Sequence, residues 1–570
     1  MLKRYLPILT WLPHYTLRLF GADLLAGVIV TIMVIPQSLA YAILAGLPAV
    51  VGLYASLLPL LAYTLFGTSR TLAVGPVAIL ALMTGAALVN VATPGSTAYL
   101  EAATALALLS GLMLAAMGLM KLGFFANFLS HPVISGFLTA SGILIATSQA
   151  ANLLGISGSG FTVVELAVSL TANIANIHWP TLAIGAGCLG FLVLMRSRGK
   201  ALLQWLGVGK GLASLIAKAG PVFAVVATTL LSWQFALAEK GVAVVGIIPQ
   251  GLPPFSFPSL DLPLWRELLI PALLISIVGF VESVSMGQML AAKRRQRISP
   301  NQELIGLGSA NIAAAISSGM PVTGGLSRTV INFDAGAQTP AAGAFAALGI
   351  GLVTLSFTPL LHHLPIATLA ATITVSILTL VDTQMIRQTW RYSRSDFAAM
   401  AATIALTLVE GVEAGIIAGV TLSIGLFLYR TSRPHSALVG RVPGTEHFRN
   451  MARHEVESVS HVALLRVDES LYFANARYLE DTVYTLVASH PELEHVVLIC
   501  SAVNLIDASA LESLDAINAR LKDSGVTLHL AEVKGPVMDR LKNSDFLDEL
   551  TGRVFLSTYS AWSELKQPRE

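Results

Sequence analysis

Long apolar runs with few charges dominate the first three quarters of the chain. No charged residue lies between Asp23 and Arg70, and none lies from Ala335 to Val381. A helix needs about 20 apolar residues to cross about 30 Å of hydrocarbon, so each stretch has room for two crossings. A soluble core of this size would show polar faces at helical period, and these stretches show none. Hydropathy predicts about 14 spans. Their centres fall near residues 30, 57, 83, 110, 142, 185, 223, 279, 310, 331, 350, 375, 403 and 421. Some, at about 9–12 residues, are too short to cross alone.

The pattern changes near residue 434. The segments 462–467, 495–500 and 526–533 read as buried strands, and helical segments at 476–489, 509–523 and 535–543 alternate with them. That alternation predicts an α/β layer able to form its own core. The chain therefore divides into an interfacial segment 1–20, a transmembrane domain 21–433, and a soluble domain with its linker at 434–570.

Charge sharpens this division. Only 12% of the 570 residues are charged, against about 25% in ordinary soluble domains. Up to Pro434 there are 22 Lys and Arg against 13 Asp and Glu, a balance of +9; from His435 onward there are 13 against 20, a balance of −7. With Lys3, Arg4 and Arg18 placed inside, the loops after even-numbered spans hold 14 basic residues, whereas those after odd-numbered spans hold only Lys240 and Arg266. The positive-inside rule then puts both the N-terminus and the tail in the cytoplasm, in a cell (inner) membrane. Pro7 and Pro13 interrupt the N-terminal apolar run, which argues against a secretory signal. Cys188 and Cys500 suggest no disulfide framework.

Two spans are broken by glycine and proline: TLAVGPVAI (71–79) in the third and MPVTGGLSRTV (320–330) at the start of the tenth. They lie seven spans apart, as a seven-plus-seven inverted repeat requires. Broken helices in inverted repeats mark substrate sites in transporters. Two facing half-helix N-termini would offer free N–H groups and positive dipole ends to an anion. Gly and Pro are also ordinary packing points in membrane helices. Glu282, in LLISIVGFVESVSMGQML, is an expensive carboxylate inside an apolar span; it reads as a proton relay or cation ligand, or as a structural hydrogen bond. Arg328 follows the Gly-Gly bend, either adding positive potential there or anchoring the half-helix. Gln37 follows Pro36 at an expected helix interruption, with Tyr41 one turn on. Asp334, Asp382, Glu410 and Glu413 read as interfacial or structural.

At this level the sequence resembles the sulfate permease (SulP) family of anion transporters. The carrying segments are VIPQSLAYAILAGLP (34–48), GLYASLLP (52–59), GPVAI (75–79), VGIIPQGLPPFSFP (245–258) and SPNQELIGLGSANI (299–312). The tail resembles the STAS domain through NLIDASALESL (504–514). The resemblance implies a mostly helical membrane fold like that of nucleobase transporters, with seven-plus-seven inverted repeats forming core and gate domains. It implies a substrate site at Gln37, Tyr41, Val77, Ala78, Gly325, Leu326, Ser327 and Arg328, and proton coupling at Glu282. Sodium-coupled relatives carry a Thr one turn after the acidic residue. Met286 stands there in this chain, and a soft thioether is a poor sodium ligand. The resemblance also implies elevator-like motion, a homodimer embedded in membrane lipid, and regulatory phosphorylation at Ser509, with Asp507 capping the helix.

The expected function is proton-coupled symport of a small anion, sulfate first, with bicarbonate or a C4-dicarboxylate as alternatives. A nucleobase carrier is disfavoured because planar bases need directional side-chain acceptors at the broken spans. A membrane-anchored STAS signalling scaffold is the reading from another class; a mere anchor needs neither broken half-helices nor a buried Glu282. No Walker-type loop, H-E-x-x-H or Cys/His metal spacing occurs, so no enzyme, cofactor, metal or nucleic-acid role is expected.

Overall fold

The structure is a computed structural model that describes residues 5–127 and 130–567. Lys3 and Arg4, assigned above to the inner side, lie outside the described residues. The chain forms two compact units, Met1–Ser423 and Ile424–Glu570.

The first unit is a helical assembly, and every span centre read from hydropathy lies inside a helix except that near 57, which falls in the turn between Ala49–Tyr54 and Leu58–Phe66. Among the described residues, seven helices are long and apolar enough to cross a membrane alone. Shorter apolar helices include Ala78–Val89, Gly220–Gln234, Ala341–Ser356 and Ile366–Ile377. Helix Thr97–Leu119 packs directly on helix Pro300–Ile316. A Cβ on Gly308 would sit 2.7 Å from the Ala115 nitrogen, so the two backbones need glycine to approach this closely. One expectation is corrected: Pro36 does not interrupt its helix, which runs unbroken over Leu17–Leu44. A proline removes a single intrahelical hydrogen bond, and packed neighbours in a membrane domain tolerate that loss.

Buried carboxylates stitch this unit together. Glu303 is fully buried. Its Oε1 accepts from the Thr68 and Ser69 amides at 2.8 and 3.0 Å and from the Thr68 hydroxyl; its Oε2 accepts from the Tyr63 hydroxyl at 2.6 Å. Asp23 is equally buried. It accepts from the Gln338 amide at 2.6 Å and from the Thr339 hydroxyl at 2.6 Å. Several donors per carboxylate offset the cost of burying each charge.

The second unit is a six-stranded sheet. Strand Phe448–Asn450 pairs with Ser436–Arg441, followed in order by Val462–Val467, His495–Ile499, Thr527–Ala531 and Val554–Phe555. The first two junctions are antiparallel and the rest parallel. Helices Ala476–Ser489, Ala508–Asp523 and Gly535–Leu541 connect the parallel strands. The three strands and three helices expected from the sequence are present; the short antiparallel strands and the last strand were not foreseen.

Candidate functional site

The two broken spans meet. Val74–Gly75 and Thr323–Gly324 form a two-stranded antiparallel ladder, with Val74 opposite Gly324 and Gly75 opposite Thr323. Each strand leads into a short helix, Ala78–Val89 or Leu326–Asp334. Neither N-cap, Val77 or Gly325, carries a side-chain cap, so the first-turn amides of both helices are left for another partner.

Neighbouring helices fix the ladder. Asn311 brackets Val322, donating to its carbonyl at 2.8 Å and accepting from its amide at 2.9 Å. Ser283 accepts from the Gly324 amide at 2.8 Å and shares a hydrogen bond with the Thr323 hydroxyl at 2.6 Å. The second half-helix in turn holds the first broken span: Thr329 accepts from the Ala73 amide at 3.2 Å, and Asn332 donates to the Thr71 carbonyl at 2.9 Å.

One cavity receives both helix N-termini. Tyr41, Val77, Ala78, Glu282, Gly325, Leu326, Ser327 and Arg328 all line it. Gln37 adjoins it, its Nε2 donating to the Ser327 hydroxyl at 3.5 Å. Ile79, Ser376, Ile377 and Leu380 complete the wall. Sequence reasoning missed these four: Ser376 and Ile377 end the apolar helix Ile366–Ile377, Leu380 closes the turn after it, and Ile79 is one more apolar residue of Ala78–Val89, none with a local signal of what it faces.

The electrostatics are unusual for an apolar interior. Arg328 is 2% exposed, and neither its Nη1 nor its Nη2 has a hydrogen-bond partner. Glu282 Oε2 and Gln37 Oε1 are also buried without a partner. Among the described residues no ion pair joins Glu282 to Arg328. On its other side Glu282 borders an apolar pocket lined by Phe137, Ile277, Val278 and Ile416. A buried, unpaired guanidinium costs several kcal/mol, on the order of a lost salt-bridge partner. Two helix N-termini beside that charge give the cavity a positive potential of the kind that suits an anion.

Close backbone approach makes room for Arg328. A Cβ on Gly75 would collide with its Nη1, and a Cβ on Gly325 would stand 2.7 Å from its Nε. The glycines that flag a helix break in the sequence are thus also the positions that admit the guanidinium.

In the tail unit Asp507 is the N-cap of helix Ala508–Asp523, accepting from the Ala510 amide at 2.8 Å. Its other oxygen accepts from the Phe473 amide at 2.9 Å. Ser509 is exposed in the first turn of that helix.

Comparison with known proteins bears on this geometry. The family model described as the sulfate permease family matches residues 20–403, and that of the STAS domain matches 453–561. A probable sulfate transporter of Arabidopsis thaliana is 36% identical over 562 residues, covering 96% of this chain and 81% of the relative. A probable sulfate transporter of Mycobacterium tuberculosis is 34% identical over 540 residues, covering 94% and 93%. In fold, the chain resembles a structure titled as the overall structure of SLC26A9, with a TM-score of 0.90 at 24% identity, covering 99% of this chain and 94% of that one. It also resembles the transmembrane domain of a cyanobacterial bicarbonate transporter, with a TM-score of 0.60 at 23% identity, covering 71% and 98%. The chain is a multi-pass membrane protein with a C-terminal STAS domain, and it belongs to the sulfate permease family.

Proposed function

We propose that this chain is a secondary active transporter of a small inorganic anion, sulfate first, and that the cavity between the two half-helices is its substrate site. The observation that carries this reading is the buried Arg328 guanidinium with both terminal nitrogens free, beside two uncapped helix N-termini. An anion there accepts from the backbone N–H groups of the half-helices. It also neutralises Arg328, whose planar fork suits tetrahedral oxyanions. Gln37, Tyr41 and Ser327 contribute polar contacts, while Val77, Ala78, Gly325 and Leu326 shape the wall. Relatives named as sulfate transporters support sulfate as the substrate.

Glu282 shares the cavity and couples transport to protons. A charged carboxylate against an apolar pocket is costly, and binding a second anion beside it adds repulsion. A proton on Glu282 relieves both, so proton and anion enter together. Met286, one turn on, offers no hard oxygen to a sodium ion. The two half-helices move as one body past the gate helices, elevator fashion. The chain acts in a cell (inner) membrane with the basic loops, the N-terminus and the STAS domain in the cytoplasm, and it pairs as a homodimer. Ser509, exposed at a helix start, is a phosphorylation site there.

The test is uptake of labelled sulfate by proteoliposomes, with and without an inward proton gradient and with and without sodium. Gradient-driven, sodium-independent uptake is expected, with gradient stimulation lost in Glu282→Gln. Unchanged stimulation in the variant removes Glu282 from coupling. Movement of bicarbonate or succinate in place of sulfate overturns the substrate while keeping the site.

A further inference from the structure

Two cavities lie beneath the N-terminal segment, and neither shares a residue with the half-helix site. One is lined by Trp11, Thr68, Arg70, Gln296 and Arg297 among others. The other also reaches Thr68 and adds Lys121. No Asp or Glu among the described residues lines either cavity. Among the described residues neither Arg70 nor Arg297 makes an ion pair or a side-chain hydrogen bond, and the Trp11 Nε1 is buried without a partner. Arg70 and Arg297 are both exposed at the edge of this cavity, and two guanidinia on one edge without a carboxylate raise a positive potential that a shared anion would lower.

We propose that the Arg70–Arg297 cavity binds a multivalent phosphate group. Arg presents a planar fork that matches phosphate oxygens bidentately. Two such forks exceed what a singly charged anion can engage. The indole N–H of Trp11 and the Gln296 amide add neutral donors. The same chemistry is found on a soluble pyrophosphate-type metabolite and on the headgroup of an anionic phospholipid. Occupancy ties the helix Ile8–Trp11 to the 67–70 strap. That strap is gripped from beneath by Glu303 and runs on into the first broken span. The ligand therefore stiffens the base of the half-helix without touching the transported anion.

Calorimetry on the purified full chain, titrated with inorganic pyrophosphate in sulfate-free detergent buffer, tests the soluble source. Thermal unfolding in phosphatidylcholine nanodiscs, with and without phosphatidic acid, tests the lipid source. Saturable pyrophosphate binding is expected. The Arg70→Gln/Arg297→Gln pair should weaken it at least about tenfold, the scale of losing charge-assisted bonds. Arg387→Gln, an exposed arginine elsewhere, should leave it unchanged. A midpoint raised by phosphatidic acid in the parent chain but not in the pair, with pyrophosphate silent, supports the proposal with lipid as the source. No response to either probe, or a pair that responds like the parent, overturns it. If the pair fails to fold, Trp11→Phe decides: a several-fold weaker response supports the site, and an undiminished one overturns it.

Discussion

At the residue scale, the fit of Arg328 between Gly75 and Gly325 makes a prediction that separates a site from a hinge. Gly75→Ala places a methyl group against the guanidinium. Overpacking of this kind costs about 1–3 kcal/mol, which corresponds to a roughly fivefold to hundredfold loss in sulfate uptake or binding. Gly187→Ala is the control. It sits within helix Trp179–Leu194 with nothing within 4 Å of the new Cβ, so uptake should be unchanged and stability equal or slightly raised, by about 0.5–1 kcal/mol. Equal effects of the two substitutions, read by uptake in proteoliposomes, would mean that the space at Gly75 is not needed to seat Arg328. The sequence makes part of this visible. Glycine and proline at 71–79 and 320–330 reveal the breaks, and Arg328 stands out in an apolar span. That the glycines exist to admit Arg328 is not visible, because Gly75 and Arg328 are brought together only by the pairing of Val74 with Gly324.

At the scale of elements, side-chain hydrogen bonds from three helices hold the ladder in place. Ser283 is the clearest: removing its hydroxyl leaves the buried Gly324 amide without its acceptor. Ser283→Ala should therefore cost about 1–3 kcal/mol, the penalty of an unsatisfied buried donor. It should lower the thermal midpoint and weaken sulfate binding together. Asn311→Leu, which strips both bonds to Val322, should do more. A midpoint unmoved in both variants would mean that the ladder draws its stability from elsewhere. Apolar periodicity places helices well but is silent on such clamps. Ser283 stands in the sequence as a small polar residue beside Glu282, and small polar residues in membrane helices serve many packing contacts. Pro36 shows the opposite failure. A local rule predicts a break there, and the continuous helix Leu17–Leu44 overrides it. Tail elements were more legible, since short β-rich runs alternating with amphipathic helices have few other ways to fold.

At the scale of the whole molecule, each unit has its own core and carries one of the chain's cysteines, Cys188 in the first and Cys500 in the second. Cys500 is 1% exposed at the end of a central strand, and burial, with a smaller contribution from Glu532, pushes its thiol up to about 12. Only the thiolate attacks a maleimide at an appreciable rate, so at neutral pH the folded tail should be inert to labelling. Unfolding restores an ordinary thiol near about 8.5 and exposes it. Labelling at Cys500 in a Cys188→Ala background therefore reports the opening of the tail alone, while sulfate protection of the thermal midpoint reports the membrane unit. If the tail is an independent unit, denaturant should raise Cys500 labelling at a concentration that sulfate does not shift. A chain truncated at residue 440 should keep sulfate binding, as a transporter does and a signalling scaffold does not. Labelling that moves in step with sulfate occupancy would instead show that the anion in the membrane unit stabilises the tail. The two units would then share one unfolding transition and a route by which Ser509 chemistry could reach the half-helices.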